Sequence, residues 1–145
     1  MTAFEFVVPG SVPSKGRPRM TRGGIVYTPK KTRLMEAEIL DAFLRAYPGA
    51  RPLVGPVDME IFVHMKTNKS MSKKDRGLVE EGQLRPIKKP DLDNIIKAVF
   101  DALQGHAFEN DAHVVSAVVK KHYSKSSSPE ERTNIVIFQA IPDKP

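Results

Sequence analysis

The chain has 145 residues, 40% of them hydrophobic and 7% aromatic, with a net charge of +6 at pH 7 and a pI near 9.6. That length is one domain with room for a core of its own, and the basic balance points toward a polyanionic partner. The absence of cysteine excludes disulfides, thiol catalysis and the usual zinc sites. Apolar runs are too short for a membrane span and no secretory pattern opens the chain, so the cytoplasm is the expected compartment.

Taken in order, the run FEFVV at 4–8 reads as a first strand, ended by Pro9 and Gly10. Residues 11–28 carry Lys15, Arg17, Arg19 and Arg22 with no acidic residue. Pro13, Gly16, Pro18, Gly23 and Gly24 argue against regular structure there, which predicts a basic loop or arm. Thr28 and Pro29 form a helix start, a capping side chain followed by a proline at the first helical position. Met35, Ile39, Ala42, Phe43 and Ala46 then recur at helical spacing, with Leu40 and Leu44 along the edge, until Pro48 and Gly49 stop the helix. Lys30, Lys31 and Arg33 crowd its first turn against the helix dipole, which calls for an anion nearby.

Residues 57–66 alternate strictly. Val57, Met59, Ile61, Val63 and Met65 share one face, which predicts a half-buried strand. The segment 67–87 is a basic insert with Lys69, Lys73, Lys74, Arg76 and Arg85, expected to lie over the site as a flap. Within it Ser72 is placed to cap a short helix through Glu81, ended by Gly82. Residues 114–123 are valine-rich and read as a strand, SKSSSPEER at 124–132 as a loop, and 133–141 as a last strand pairing antiparallel with the one before it. The order of elements predicts a single α+β domain over 1–145, a mixed sheet with helices packed on it.

The stretch KKPDLDNIIKAVFDALQGHAFEND at 88–111 carries the chemistry. Leu92, Ile95, Ile96, Val99, Phe100 and Leu103 form an apolar stripe of helical period, and Gly105 is its C-terminal cap. Asp91 or Asp93 is the N-cap. With the cap at Asp93, the chain after Pro90 would be extended and both carboxylates would face one point. Lys97 lies one turn up with its side chain directed back toward the helix start. Clustered carboxylates are hard oxygen ligands suited to Mg²⁺, and a neighbouring cation can meet a phosphate. The plain alternative makes one aspartate a cap, the other a solvated residue, and Lys97 an i,i+4 partner of Asp93 or Asp101.

KKPDLDNIIKAVFDAL followed by NDAHVV resembles the RusA family of Holliday-junction resolvases, and VVPGSVPSKGRPRM with YTPKK resembles that family's basic opening segment. The resemblance implies a RusA-like fold and a small Mg²⁺-dependent endodeoxyribonuclease of phage or prophage origin, acting as a homodimer on four-way junctions. It implies Mn²⁺ as a possible substitute and no small-molecule cofactor. Carried over by position, Asp91, Asp93 and Asp111 match the family's essential, metal-holding aspartates, and Lys97 matches its catalytic lysine. Lys15, Arg17, Arg19, Lys73, Lys74, Arg76, Lys88 and Lys89 are the expected DNA contacts. Two positions depart from the pattern: Asn110 stands where many members have an aspartate, and His113 where glutamine is common.

The four histidines show no metal-site spacing and are expected to be structural or solvated. Tyr27, Tyr47 and Tyr123 are too scattered to form a stacking platform, which favours recognition of duplex or junction backbone. A non-cleaving junction or duplex binder and a broader flap nuclease remain alternatives, and an RNA-binding module is the weakest of them.

Overall fold

The computed structural model describes residues 3–10, 19–27 and 30–143. Its frame is a four-stranded sheet ordered β1-β6-β4-β5, built from β1 (Ala3–Pro9), β4 (Val57–Met65), β5 (Val114–Tyr123) and β6 (Arg132–Gln139). A separate hairpin joins β2 (Arg19–Met20) to β3 (Val26–Tyr27). Three helices complete the fold: α1 (Lys30–Ala46), α2 (Lys73–Glu80) and α3 (Leu92–Leu103). The sheet is mixed and the domain is α+β, as expected.

Period-2 patterning sets which face is buried. Along β4, Val57, Met59, Ile61, Val63 and Met65 are all buried, while the alternate residues are only partly covered. β1 buries Phe4, Phe6 and Val8 on the same face, and β6 buries Thr133, Ile135 and Ile137. Onto this face α1 contributes Ile39 and Phe43, and α3 contributes Ile95, Ala98, Val99, Ala102 and Leu103. Phe43 meets Phe4 edge-on at 5.0 Å and Phe6 at 5.5 Å, geometries that aromatic rings favour. Tyr47 locks the end of α1 to β1, its hydroxyl donating to Glu5 O (3.1 Å) and accepting from Glu5 N (2.8 Å). No helix among the described residues is long and apolar enough to cross a membrane.

Several expectations change here. Residues 19–27 are a hairpin rather than irregular chain. Thr21 N donates to Ile25 O (2.9 Å), and Gly24, at φ +83°, supplies the turn that glycine makes easily. Gly24, one of the glycines that argued against structure, is what lets the strands reverse. Lys15, Arg17, Thr28 and Pro29 lie outside the described residues, and of Arg19 only the backbone is described.

The last two strands do not pair with each other. β5 pairs with β4 in parallel, and β6 inserts between β1 and β4, antiparallel to both. The physical reason is the crossover: α3 returns the chain along the sheet, so the strand that follows it runs parallel to the strand that preceded it. β6 alternates as cleanly as β4 and can take a partner on each side, whereas β5 is an edge strand with Val115 and Val118 exposed. Ala46 and Leu92, expected on inward stripes, are exposed, and Ala98 and Ala102 fill the tight contact on α3 instead.

Candidate active site

The approach to α3 is braced by β5. Lys121 Nζ donates to Lys88 O (2.6 Å) and Pro90 O (3.1 Å), pinning the segment that leads into Asp91. The Lys88 ammonium lies 5.9 Å from the centre of the Tyr123 ring, and Lys89 pairs with Asp91 at 3.2 Å. Asp91 is the N-cap residue in position, with extended backbone, but its carboxylate makes no capping bond. Helix α3 starts at Leu92, so Asp93 lies in its first turn, where the helix dipole favours a carboxylate. The expected extended Asp91–Asp93 pair is therefore not formed. The backbone closes the helix at Asp91, whose carbonyl takes Ile95 N at 3.1 Å.

The apolar side of α3 is buried, which leaves Asp93 and Lys97 exposed and Asp101 half-buried. Lys97 Nζ sits 3.3 Å from Asp101 Oδ1, one turn further along. After α3, Gly105 at φ +84° reverses the chain, its N–H donating to Phe108 O (2.8 Å), and buried Phe108 anchors the return. A short 3-10 turn, Asp111–His113, then delivers Asp111 to the start of β5. Asn110 caps that turn by accepting Ala112 N at 2.8 Å. That is a local task for the residue that departs from the family pattern.

Asp111 is held from both sides of its backbone: its N–H donates to Gln104 Oε1 (2.9 Å), and the turn fixes its φ and ψ. Its carboxyl is raised above the usual carboxylate range, first by burial and then by the nearby charge of Asp101, with Lys97 acting the other way. Asp111 Oδ1 is buried and has no hydrogen-bond partner among the described residues. Buried carboxylate oxygens are ordinarily satisfied, so this one has accepting capacity left for a further partner. The structure thus brings together Asp111, Asp101, Lys97 and Gln104. Asp101 and Gln104 are additions that sequence reasoning passed over as ordinary helix residues. Their signal was available: Lys97, Asp101 and Gln104 follow one another at helical spacing on the turns that lead to Asp111.

Asp91 and Asp93 stand at the other end of that helix face. Among the described residues no three His, Cys, Asp or Glu side chains group closely enough to hold a metal ion by themselves. The residues fit a divalent ion in a narrower sense. An unpartnered buried carboxylate oxygen beside a second carboxylate is the donor set Mg²⁺ accepts when waters and a substrate phosphate complete its shell.

The basic insert lies at the end of β5 where Lys121 holds the entry to Asp91. Helix α2, capped by Ser72 Oγ accepting from Asp75 N (3.1 Å), packs beside Ser124 and the loop after β5, at the end of β5 away from Asp111. Arg76 is occupied within it, donating to the carbonyls of Met71 (3.2 Å), Asn68 (2.9 Å) and Lys69 (3.1 Å). Lys73 and Lys74 are exposed on α2, and Lys88 and Lys89 lie on the segment that enters the site.

His64 and His122, unpaired in the sequence, are register partners on β4 and β5 and stack at 5.5 Å. Burial, then Arg132, then His122 push His64 down to about 4. A histidine whose folded pKa lies below its ordinary 6.5 disfavours protonation in the fold. Its contribution to stability is therefore intact above about 6.5 and lost as pH falls toward 4. Thermal unfolding from pH 7.5 to 4 should show a smaller loss of midpoint for His64→Gln than for the natural chain. Equal slopes would remove His64 from the acid sensitivity of the fold.

The described residues form a basic α+β domain that carries an aspartate–lysine constellation on one helix and the following turn. Comparison with known proteins makes the class specific. Residues 9–137 match the family model of endodeoxyribonuclease RusA. The chain is also 34% identical over 142 residues to the uncharacterized protein YqaN of Bacillus subtilis (strain 168), covering 94% of this chain and 96% of that protein. The chain belongs to the RusA endodeoxyribonuclease family.

Proposed function

We propose that this chain is a Mg²⁺-dependent, structure-selective endodeoxyribonuclease that resolves four-way DNA junctions by paired symmetric nicks, in recombination and repair. Family membership supports nuclease activity on DNA junctions. The observation that carries the site assignment is the half-buried Asp111 carboxylate, its Oδ1 buried and unpartnered among the described residues, set beside Asp101 and Lys97. Asp91, Asp93 and Asp111 would hold one or two ions between them, Asp91 and Asp93 from the start of α3 and Asp111 from beyond its end, next to Asp101. A bound divalent ion supplies an activated water and charge stabilisation at the phosphate.

The chain's own groups then divide the work. Lys97 faces the charge that grows on the scissile phosphate, held at its helix position by the 3.3 Å pair with Asp101. Gln104 and the 3-10 turn keep Asp111 from rotating away, and Lys121 fixes the entry to α3 so that Asp91 and Asp93 are presented from a rigid segment. Exposed Lys73, Lys74, Lys88 and Lys89, with Lys15, Arg17 and Arg19 of the amino-terminal arm, hold backbone phosphates and read little sequence.

Two nicks in symmetry-related strands need two such sites in fixed relation, so the active form is a homodimer. The test is cleavage of four-way junction, flap, linear duplex and single strand by one preparation, in Mg²⁺, in Mn²⁺ and in EDTA, with sedimentation at micromolar protein. We expect a dimer that converts the junction to nicked duplexes at symmetric positions only with metal. Preference for a flap, or one nick from a monomer, would favour a general branched-DNA nuclease. Tight junction binding without cutting would favour a non-cleaving binder.

A further inference from the structure

A second group of charges lies apart from the carboxylates, where α2 and the end of the basic insert meet the sheet face opposite α1 and α3. It is a cleft of about 270 Å³ whose lining includes His64, His122, Arg85, Lys125, Arg132 and Ser127. The cations come from three places in the chain: Arg132 from β6, Arg85 from the insert and Lys125 from the loop after β5. No carboxylate is among the lining residues. Glu80, which stands near Lys125, is engaged by Ser126 N at 2.7 Å.

Both arginines are anchored yet keep donors to spare. Arg85 uses Nε on Lys121 O (2.9 Å), and its two Nη groups make no hydrogen bond among the described residues. Arg132 uses Nη1 on Ser128 O (3.0 Å) and Glu130 O (3.3 Å), which leaves Nε and Nη2. Neither arginine, nor Lys125, makes an ion pair among the described residues. Guanidinium groups held in place by backbone carbonyls are preorganised for an oxyanion, which they bind through two parallel N–H bonds. The two histidine rings sense the same excess of positive charge. Beyond burial, His64 is lowered by Arg132, and His122 by Arg85, Lys120 and Lys125. A cleft lined by three cations, with no acid in its lining and Glu80 near Lys125 alone, favours an anion.

The anion's source is fixed by what the cleft adjoins. Lys121 accepts Arg85 through its carbonyl and holds the carbonyls of Lys88 and Pro90 through its ammonium. One residue of β5 therefore braces both the cleft and the entry to Asp91. We propose that the cleft seats a backbone phosphate of the DNA being cut, on the duplex flanking the scissile bond. The assignment rests on the nuclease reading above. Arg85, Arg132 and Lys125 are positioning residues in it.

The test is made in EDTA at fixed ionic strength, following the imidazole resonances of His64 and His122. Inorganic phosphate and a short duplex are titrated separately, and both should shift the two rings, the duplex at far lower concentration. Lys125→Ala combined with His122→Gln removes side chains that make no hydrogen bond among the described residues. The double variant should bind duplex several-fold more weakly and reduce the salt slope of binding by about one. Its kcat on saturating junction should be unchanged while KM rises. Rings that move with neither ligand, or an unchanged salt slope, would overturn the proposal. Movement with phosphate but not duplex would overturn the DNA assignment and leave a free-anion site. Because these readouts need no cleavage, a natural chain that binds DNA here and never cuts would count against the nuclease reading alone.

Discussion

Asp111→Asn is expected to lower junction cleavage about a thousandfold or more while leaving the fold and DNA binding intact. Loss of a ligand carboxylate removes stabilisation of several kcal/mol from the transition state, and about 4 kcal/mol corresponds to that factor. Asparagine has nearly the same shape and keeps one oxygen, so the 3-10 turn and the bond to Gln104 should survive. Binding should hold or tighten, since a negative charge facing phosphates is gone. Stability supplies a second readout. A carboxyl raised by burial and by Asp101 makes ionisation unfavourable in the fold, so stability is reduced once pH exceeds the carboxyl's ordinary value. The variant should melt at the same temperature or higher at pH 7, with the advantage vanishing in acid. Asp91→Asn and Asp93→Asn should also abolish cutting, and Asp101→Asn should reduce it less. Normal turnover in Mg²⁺ by any of the first three would remove that residue from the metal-holding set.

Lys97→Ala is expected to lose about a hundred- to a thousandfold in kcat, the range for removing one preorganised group that meets developing charge. Its effect on folding should be slight. Lys97 is exposed and its partner Asp101 lies one turn away on the same helix, and such pairs contribute about 0.3–0.5 kcal/mol. The separation of the two effects is the point: a residue that served only the helix would change the melting temperature a little and the rate not at all. Lys97→Arg keeps the charge but changes its shape and reach, and should restore only part of the rate. Near-normal turnover by Lys97→Ala would return the side chain to a surface ion pair.

What the chain alone determined was whatever depends on neighbours a few positions away. The strict alternation at 57–66 placed β4 with its buried face, because side chains on a strand point to opposite sides in turn. Ser72 and Gly82 bracketed α2, and Gly105 ended α3, because capping and positive φ are local properties. The motif at 88–111 carried the family, and with it Asp91, Asp93, Lys97 and Asp111 as candidates. Tertiary structure decided everything that required strands to choose partners. Nothing near β6 in sequence says that it lies between β1 and β4 and leaves β5 to pair with β4 alone, since register is a choice among competing long-range pairings. That choice made β5 an edge, put Lys121 beside Pro90, and stacked His64 on His122 across 58 positions of chain. It also moved the weight of the site. The expected Asp91–Asp93 pair gave way to a helix that starts at Leu92, and packing set Asp111 beside Asp101, because burial of a carboxylate is a property of the whole core and not of its own stretch of chain.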